Sequence, residues 1–180
     1  MGKENDFALE VVSVRLVRDA PILSGTAINT AEDAVRLVGQ ELCDMDREVV
    51  CVINLGTDNT PINCNFASVG SLNSSIAHPR ELLKSGILSN AAGMILAHNH
   101  TSGKLLPSEE DVQLTHRMQQ VCKLVGIPLL DHVIVGGDNS RYFSFQEKGL
   151  VKNPCMAYQT DYRQLEWDSP AKVAERGGGR

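Results

Sequence analysis

Residues 94–137 hold the pattern that most restricts the fold: a dense apolar run, "MILAHNH" (94–100), a long helix-period segment, "PSEEDVQLTHRMQQVCKLVG" (107–126), and a second apolar run, "IPLLDHVIVGG" (127–137). Runs this short with so few polar positions read as buried strands, and the segment between them as a helix that must cover a sheet. Its apolar stripe is Leu114, Met118, Cys122 and Val125, with Asp111 three residues before Leu114 on the same side. A carboxylate on an apolar stripe demands a cation, hydrogen bonds or a shifted pKa, because burying an unpaired charge is expensive.

The remaining chain repeats the alternation. "ALEVVSVRLVRD" (8–19) alternates and is β-rich, so a strand is expected there, and "NTAEDAVRLVGQELCDMD" follows as a helix with Thr30 at its N-cap and Val35, Val38 and Leu42 on one face. "EVVCVINL" (48–55) and "INCNFASVGS" (62–71) flank the turn "TDNTP" as a hairpin. "HPRELLKSGILSNAAG" (78–93) opens with Pro79 at a permitted helix position, and "RYFSFQ" (141–146) forms a last strand. The predicted order β, α, β, β, α, β, α, β, β defines a mixed α/β domain with helices packed on one sheet. Residues 8–150 form the domain, and 151–180 form a C-terminal appendage whose last ten residues are expected to be mobile.

With 180 residues, 42% of them hydrophobic, the chain can bury one sizeable core. Its net charge of −5 supplies no long-range field to attract nucleic acid, although a local basic patch would be compatible with it. Five cysteines, never spaced C-x-x-C, fit reduced thiols better than a disulfide framework or a zinc knuckle. No export leader or membrane-length apolar run is visible, so a soluble, cytoplasmic protein is expected.

Within "HNH" (98–100), His98 and His100 point to the same side of an extended chain, their Cα atoms about 6.5 Å apart. Two imidazoles so placed can converge on one ion, and Asp111 is the candidate third ligand. Hydrolysis at such an ion also needs a base; Glu48, opening its strand, can project from the sheet edge toward the histidines. On local grounds the favoured readings are Ser108 and Asp111 as an N-cap with an acidic first turn, Glu48 as a solvated charge, and an isolated H-x-H as coincidence. Asp131 and His132, adjacent on a strand, face opposite sides; one can orient a ligand imidazole, or the two can be hydrogen-bonded core residues. His78 and Arg80 either open a helix or, through Arg80, pair with Glu48 or a substrate carboxylate, and His116 is expected to face solvent.

Taken together, Glu48, His98-x-His100 and Ser108-x-x-Asp111 resemble the metal signature of the JAB/MPN (JAMM) metallopeptidases. "SVGSLNSSIAHPRELLKSGILSNAAGMILAHNHTSG", "PSEEDVQLTHRMQQVCKLVGIPLLDHVIVGG" and "YFSF" are similar to the RadC-like branch over residues 8–150. The resemblance implies a cytidine-deaminase-like fold, a curved mixed sheet flanked by helices. It implies one zinc ion held by His98, His100 and Asp111, with water in the fourth position, Glu48 as general base and Ser108 donating to the oxyanion. The activity implied is hydrolysis of peptide or isopeptide bonds by metal-bound water, on a protein or peptide substrate that can be modifier-linked.

Two departures lie in the loop after the histidines: Thr101 replaces the branch's usual proline, and the loop "TSGKLLPS" lacks the branch's acidic residue after the glycine, so that Lys104, Leu105 and Leu106 alter the rim. Longer members carry a helix-hairpin-helix segment associated with DNA, which has no counterpart here, so the branch's DNA-repair label is weakly supported. A metal-dependent DNA-processing factor and a non-catalytic interaction module are the alternatives. The letters "HNH" lend nothing to the former, since nucleases of that name are defined by a ββα-metal arrangement.

Overall fold

The computed structural model describes residues 12–19, 22, 25–69 and 77–152. Its elements are α1 (Ala31–Cys43), β1 (Val49–Leu55), β2 (Pro61–Val69), α2 (Pro79–Leu88), β3 (Gly93–Asn99), α3 (Glu109–Val125), β4 (Leu129–Val135) and β5 (Tyr142–Ser144). They form an open five-stranded mixed sheet in the order β2-β1-β3-β4-β5. Only the β3–β4 pair is parallel, and α3 is its crossover.

Each helix begins where its side chains satisfy the first free amides. Thr30 and Asp33 close a capping box on α1, His78 caps α2 ahead of Pro79, and Ser108 and Asp111 close a second box on α3. Helix α3 stops at Gly126, whose φ of 75° is the left-handed cap that glycine adopts without strain.

The sheet separates two apolar layers. Ile95 and Ala97 of β3 pack with Val35, Val38 and Leu42 of α1, whereas Met94 and Leu96 pack with Leu82 of α2 and Leu114, Met118 and Cys122 of α3. Strand β3 is buried along its whole length, which explains its near-continuous apolar sequence. Burying a side chain such as Leu96 contributes about 1.5–3 kcal/mol. By alternation, His98 continues the Met94–Leu96 row toward α3, and Asn99 continues the Ile95–Ala97 row toward α1.

Several expectations change. Of the strand expected over 8–19, residues 8–11 lie outside the described residues, and 12–19 join no ladder; Val12, Val14, Leu16 and Val17 are exposed. Helix α2 ends at Leu88 instead of 93, because Asn90 turns the chain with φ 51°. Val125 is exposed at the end of α3, and Thr115 is buried beside Leu114 instead. Arg80 lies near Glu81, at 3.7 Å, not at Glu48. The appendage over 151–180 is outside the described residues from 153 onward.

Candidate metal centre

Three side chains meet where β3 ends and α3 begins. His98 Nε2 lies 3.0 Å from His100 Nε2 and 3.2 Å from Asp111 Oδ1, and His100 Nε2 lies 3.2 Å from Asp111 Oδ2. Donors placed tetrahedrally around an ion at 2.0–2.1 Å are about 3.3 Å apart, so the three fit one small divalent cation with little movement. This is the group of His, Cys, Asp and Glu side chains able to hold an ion found among the described residues.

Each ligand is oriented from behind. Asp111 serves α3 as well as the site: its Oδ2 accepts from Ser108 N at 2.7 Å and Ser108 Oγ at 2.8 Å, while its own amide donates to Ser108 Oγ at 3.1 Å. His100 Nδ1 is 2.8 Å from the carbonyl oxygen of Lys104. A carbonyl only accepts, so Nδ1 carries a proton, and with the ring neutral the Nε2 lone pair would face the ion site. His98 Nδ1 is 2.9 Å from Nε2 of His132, which is fully buried on β4 and stacked on Phe145.

The electrostatics are those of a cation site. Burial alone would raise the Asp111 carboxyl, yet hydrogen bonds from His100 and His98, the His98 charge and the Ser108 amide together hold it well below the usual carboxylate range. His100 is raised, chiefly by its hydrogen bond to Asp111 and against its own burial, with smaller contributions from the Lys104 carbonyl and the charges of Asp111 and Glu48. His132 is held neutral mainly by burial, then by repulsion from His98. A single Asp111 charge therefore faces imidazoles that compete for a proton, and a divalent ion satisfies all three.

Glu48 stands one residue before β1, near enough to His100 for its charge to act there. Strands β1 and β3 run antiparallel, and their pairing ends with Val50 opposite His98, two residues short of Glu48 and His100. The carboxylate is exposed, and its charge is felt by His100. Between them the regular ladder stops: Asn99 Oδ1 accepts from Val49 N at 2.8 Å, and Asn99 Nδ2 donates to Arg47 O at 3.0 Å.

Other residues take structural roles. Asp131 accepts from Ser144 Oγ, Gln146 N and His132 N, tying β5 and its exit to β4. His78 accepts from Arg80 N as a helix cap, and His116 is exposed on α3. Two contributors escaped the sequence reading: the Lys104 main chain and Thr115, whose Oγ1 is 2.6 Å from His132 Nδ1. Thr115 follows Asp111 by one helical turn, a spacing that places the two on one face.

An open mixed sheet with a two-histidine, one-carboxylate cluster at a strand-to-helix junction defines an α/β domain with a group of side chains that could hold a metal ion. Residues 28–150 match the RadC-like JAB domain, and the chain belongs to that family. It is similar to UPF0758 proteins, with 44% identity over 124 residues to one from Desulfitobacterium hafniense (69% of this chain, 54% of that protein). The match to a Halalkalibacterium halodurans protein is 39% over 148 residues (82% and 63%), and to one from Clostridium acetobutylicum 45% over 124 residues (69% and 53%). The chain thus spans 53% to 63% of the length of these three relatives. No helix among the described residues is long and apolar enough to cross a membrane.

Proposed function

We propose that the protein is a zinc-dependent hydrolase of peptide or isopeptide bonds. The observation that carries this reading is the convergence of His98 Nε2, His100 Nε2 and Asp111 at 3.0–3.2 Å, with the charge of the exposed Glu48 acting on His100. Two imidazoles and one carboxylate with an open fourth position are the donor set of catalytic zinc sites. A zinc ion held there supplies Lewis acidity toward water and toward the scissile carbonyl.

The chain's own groups supply the proton path. Glu48 takes a proton from the attacking water as its oxygen bonds to the carbonyl carbon, and returns it to the amide nitrogen as the C–N bond breaks. The products are a carboxylic acid and an amine, which exchange the remaining water proton to leave as carboxylate and ammonium. Ser108 Oγ now donates to Asp111; turned toward the carbonyl, the same hydroxyl donates to the developing oxyanion. A cleft of about 420 Å³ borders His100 and is lined also by Cys43, Asp46, Asn99 and Gly136. The net charge of −5 gives a DNA substrate no comparable support.

Glu48→Gln tests the assignment. The variant is expected to retain zinc, measured by metal analysis, and to lose roughly 10²–10⁴-fold in cleavage of the peptide or modifier-linked substrates that the wild type cuts. Equal rates in the two proteins, or no cleavage of any such substrate by zinc-loaded wild type, would overturn it.

A further inference from the structure

Behind the metal ligands lies a buried chain of hydrogen bonds whose proton directions are fixed from one end. Thr115 Oγ1 is 2.6 Å from the main-chain oxygen of Asp111, and that carbonyl can only accept. The single hydroxyl proton of Thr115 is therefore committed to the carbonyl one turn back, an ordinary helical back-bond. Toward His132 Nδ1, also at 2.6 Å, Thr115 has only a lone pair to offer, so Nδ1 must carry the proton.

His132 has no exposed surface and touches no carboxylate with its ring nitrogens, which are taken by Thr115 and His98. A neutral ring is the form such a position tolerates, so its Nε2 is a bare acceptor. The remaining contact then has one direction: His98 Nδ1 donates to His132 Nε2 across 2.9 Å.

We propose that Thr115 and His132 are a positioning pair that fixes ligand His98 as its Nδ1–H tautomer, leaving the Nε2 lone pair for the metal. The inference rests on the metal-centre reading above and extends it. Its consequence is a chain of contacts that a bound ion would close: Asp111 holds Thr115 through its main chain, Thr115 holds His132, His132 holds His98, and both His98 and the Asp111 side chain would hold the ion. The tautomer of a ligand on β3 is thereby set by the winding of the first turn of α3. The Lys104 carbonyl performs the same task for His100, so both ligand imidazoles present Nε2 for different structural reasons.

The test uses the full chain with zinc as probe. Histidine ¹⁵N spectra of zinc-free and zinc-loaded protein are expected to show His132 neutral with its proton on Nδ1; a proton on Nε2 overturns the proposal. Zinc affinity by chelator competition is then compared for wild type, Thr115→Ser and Thr115→Val. Serine keeps the hydroxyl and is expected to bind zinc within about threefold of wild type, whereas valine, of nearly equal size, is expected to bind about 10–100-fold more weakly. His132→Phe, which keeps the stacking on Phe145, is expected to lose affinity in the same range as Thr115→Val. Valine binding as tightly as wild type, or serine falling as far as valine, removes the positioning role while zinc binding stands. Wild type that takes up no zinc removes the metal centre and this inference together.

Discussion

Asp111→Asn separates the two tasks carried by one carboxylate. Asp111 Oδ2 accepts from Ser108 N and Ser108 Oγ, and its two oxygens each face an imidazole at 3.2 Å. An amide oxygen can still accept from Ser108, so the capping box survives without its charge. That change costs about 1 kcal/mol per bond, and about 2 kcal/mol for the metal-free domain. The loss of a ligand is larger. Zinc at a thousand times its dissociation constant stabilises a folded protein by about 4 kcal/mol, which for a domain of this size raises the melting temperature by roughly 12–20 °C. Losing a ligand weakens binding by more than the roughly 100-fold that outer contacts reach. At the same zinc concentration the remaining gain is then at most about 1.4 kcal/mol, a rise of roughly 4–7 °C. Calorimetry of chelator-treated wild type and variant, each with and without zinc, reads both quantities. A variant that keeps the full zinc-induced rise would show that Asp111 is only a helix cap.

Two further predictions concern the scaffold. Burial raises the Asp131 carboxyl despite hydrogen bonds from Ser144, Gln146 and His132, so its contribution to stability is present at low pH and is lost as pH rises through its folded pKa; Asp131→Asn removes this. The melting temperature of wild type relative to the variant is therefore expected to be higher at pH 4 than at pH 7, and the opposite sign contradicts the assignment. A Cβ on Gly39 would stand 1.9 Å from Asn139 Oδ1, so Gly39→Ala is expected to cost about 1–3 kcal/mol in chemical denaturation. Adding Asn139→Gly removes the opposing side chain and suits the local φ of 57°, and should recover most of that loss; a double variant no more stable than Gly39→Ala shows that the contact is not the cause.

The central part of the fold was legible because its signals are local and redundant. Strand β3 is buried on both faces and reads as an unbroken apolar run, and α3 carries a capping box, an apolar stripe and a terminal glycine. Asp111 was visible as a carboxylate on that stripe, and it is indeed half-buried against both histidines. Residues 12–19 show the limit of pattern reading. Their alternation is as strand-like as that of β1, but a strand is defined by its partner, and here Val12, Val14, Leu16 and Val17 face solvent. Val125 shows a smaller version, since the helical stripe continues past the point where the sheet ends and nothing remains to cover it. The position of Glu48 does not follow from local pattern, because it depends on the register of two strands that lie far apart along the chain. The sequence left open whether Asp131 or His132 would orient a histidine or whether both were core residues, whereas Thr115 looked like any helical threonine until the strand packed against it supplied the imidazole.

Asn99 lies between the two histidines in sequence and on the other side of the sheet from them in space. By accepting from Val49 and donating to Arg47, its side chain stands in for one rung of the strand ladder. A primary amide used in this way works as a spacer: it holds the ends of β1 and β3 together while setting how far apart they run. The approach of the segment that carries Glu48 to the strand that carries the histidines is in this sense gauged from the rear of the sheet. Shortening or removing that side chain would alter the gap between the two chain segments without touching Glu48 or either histidine.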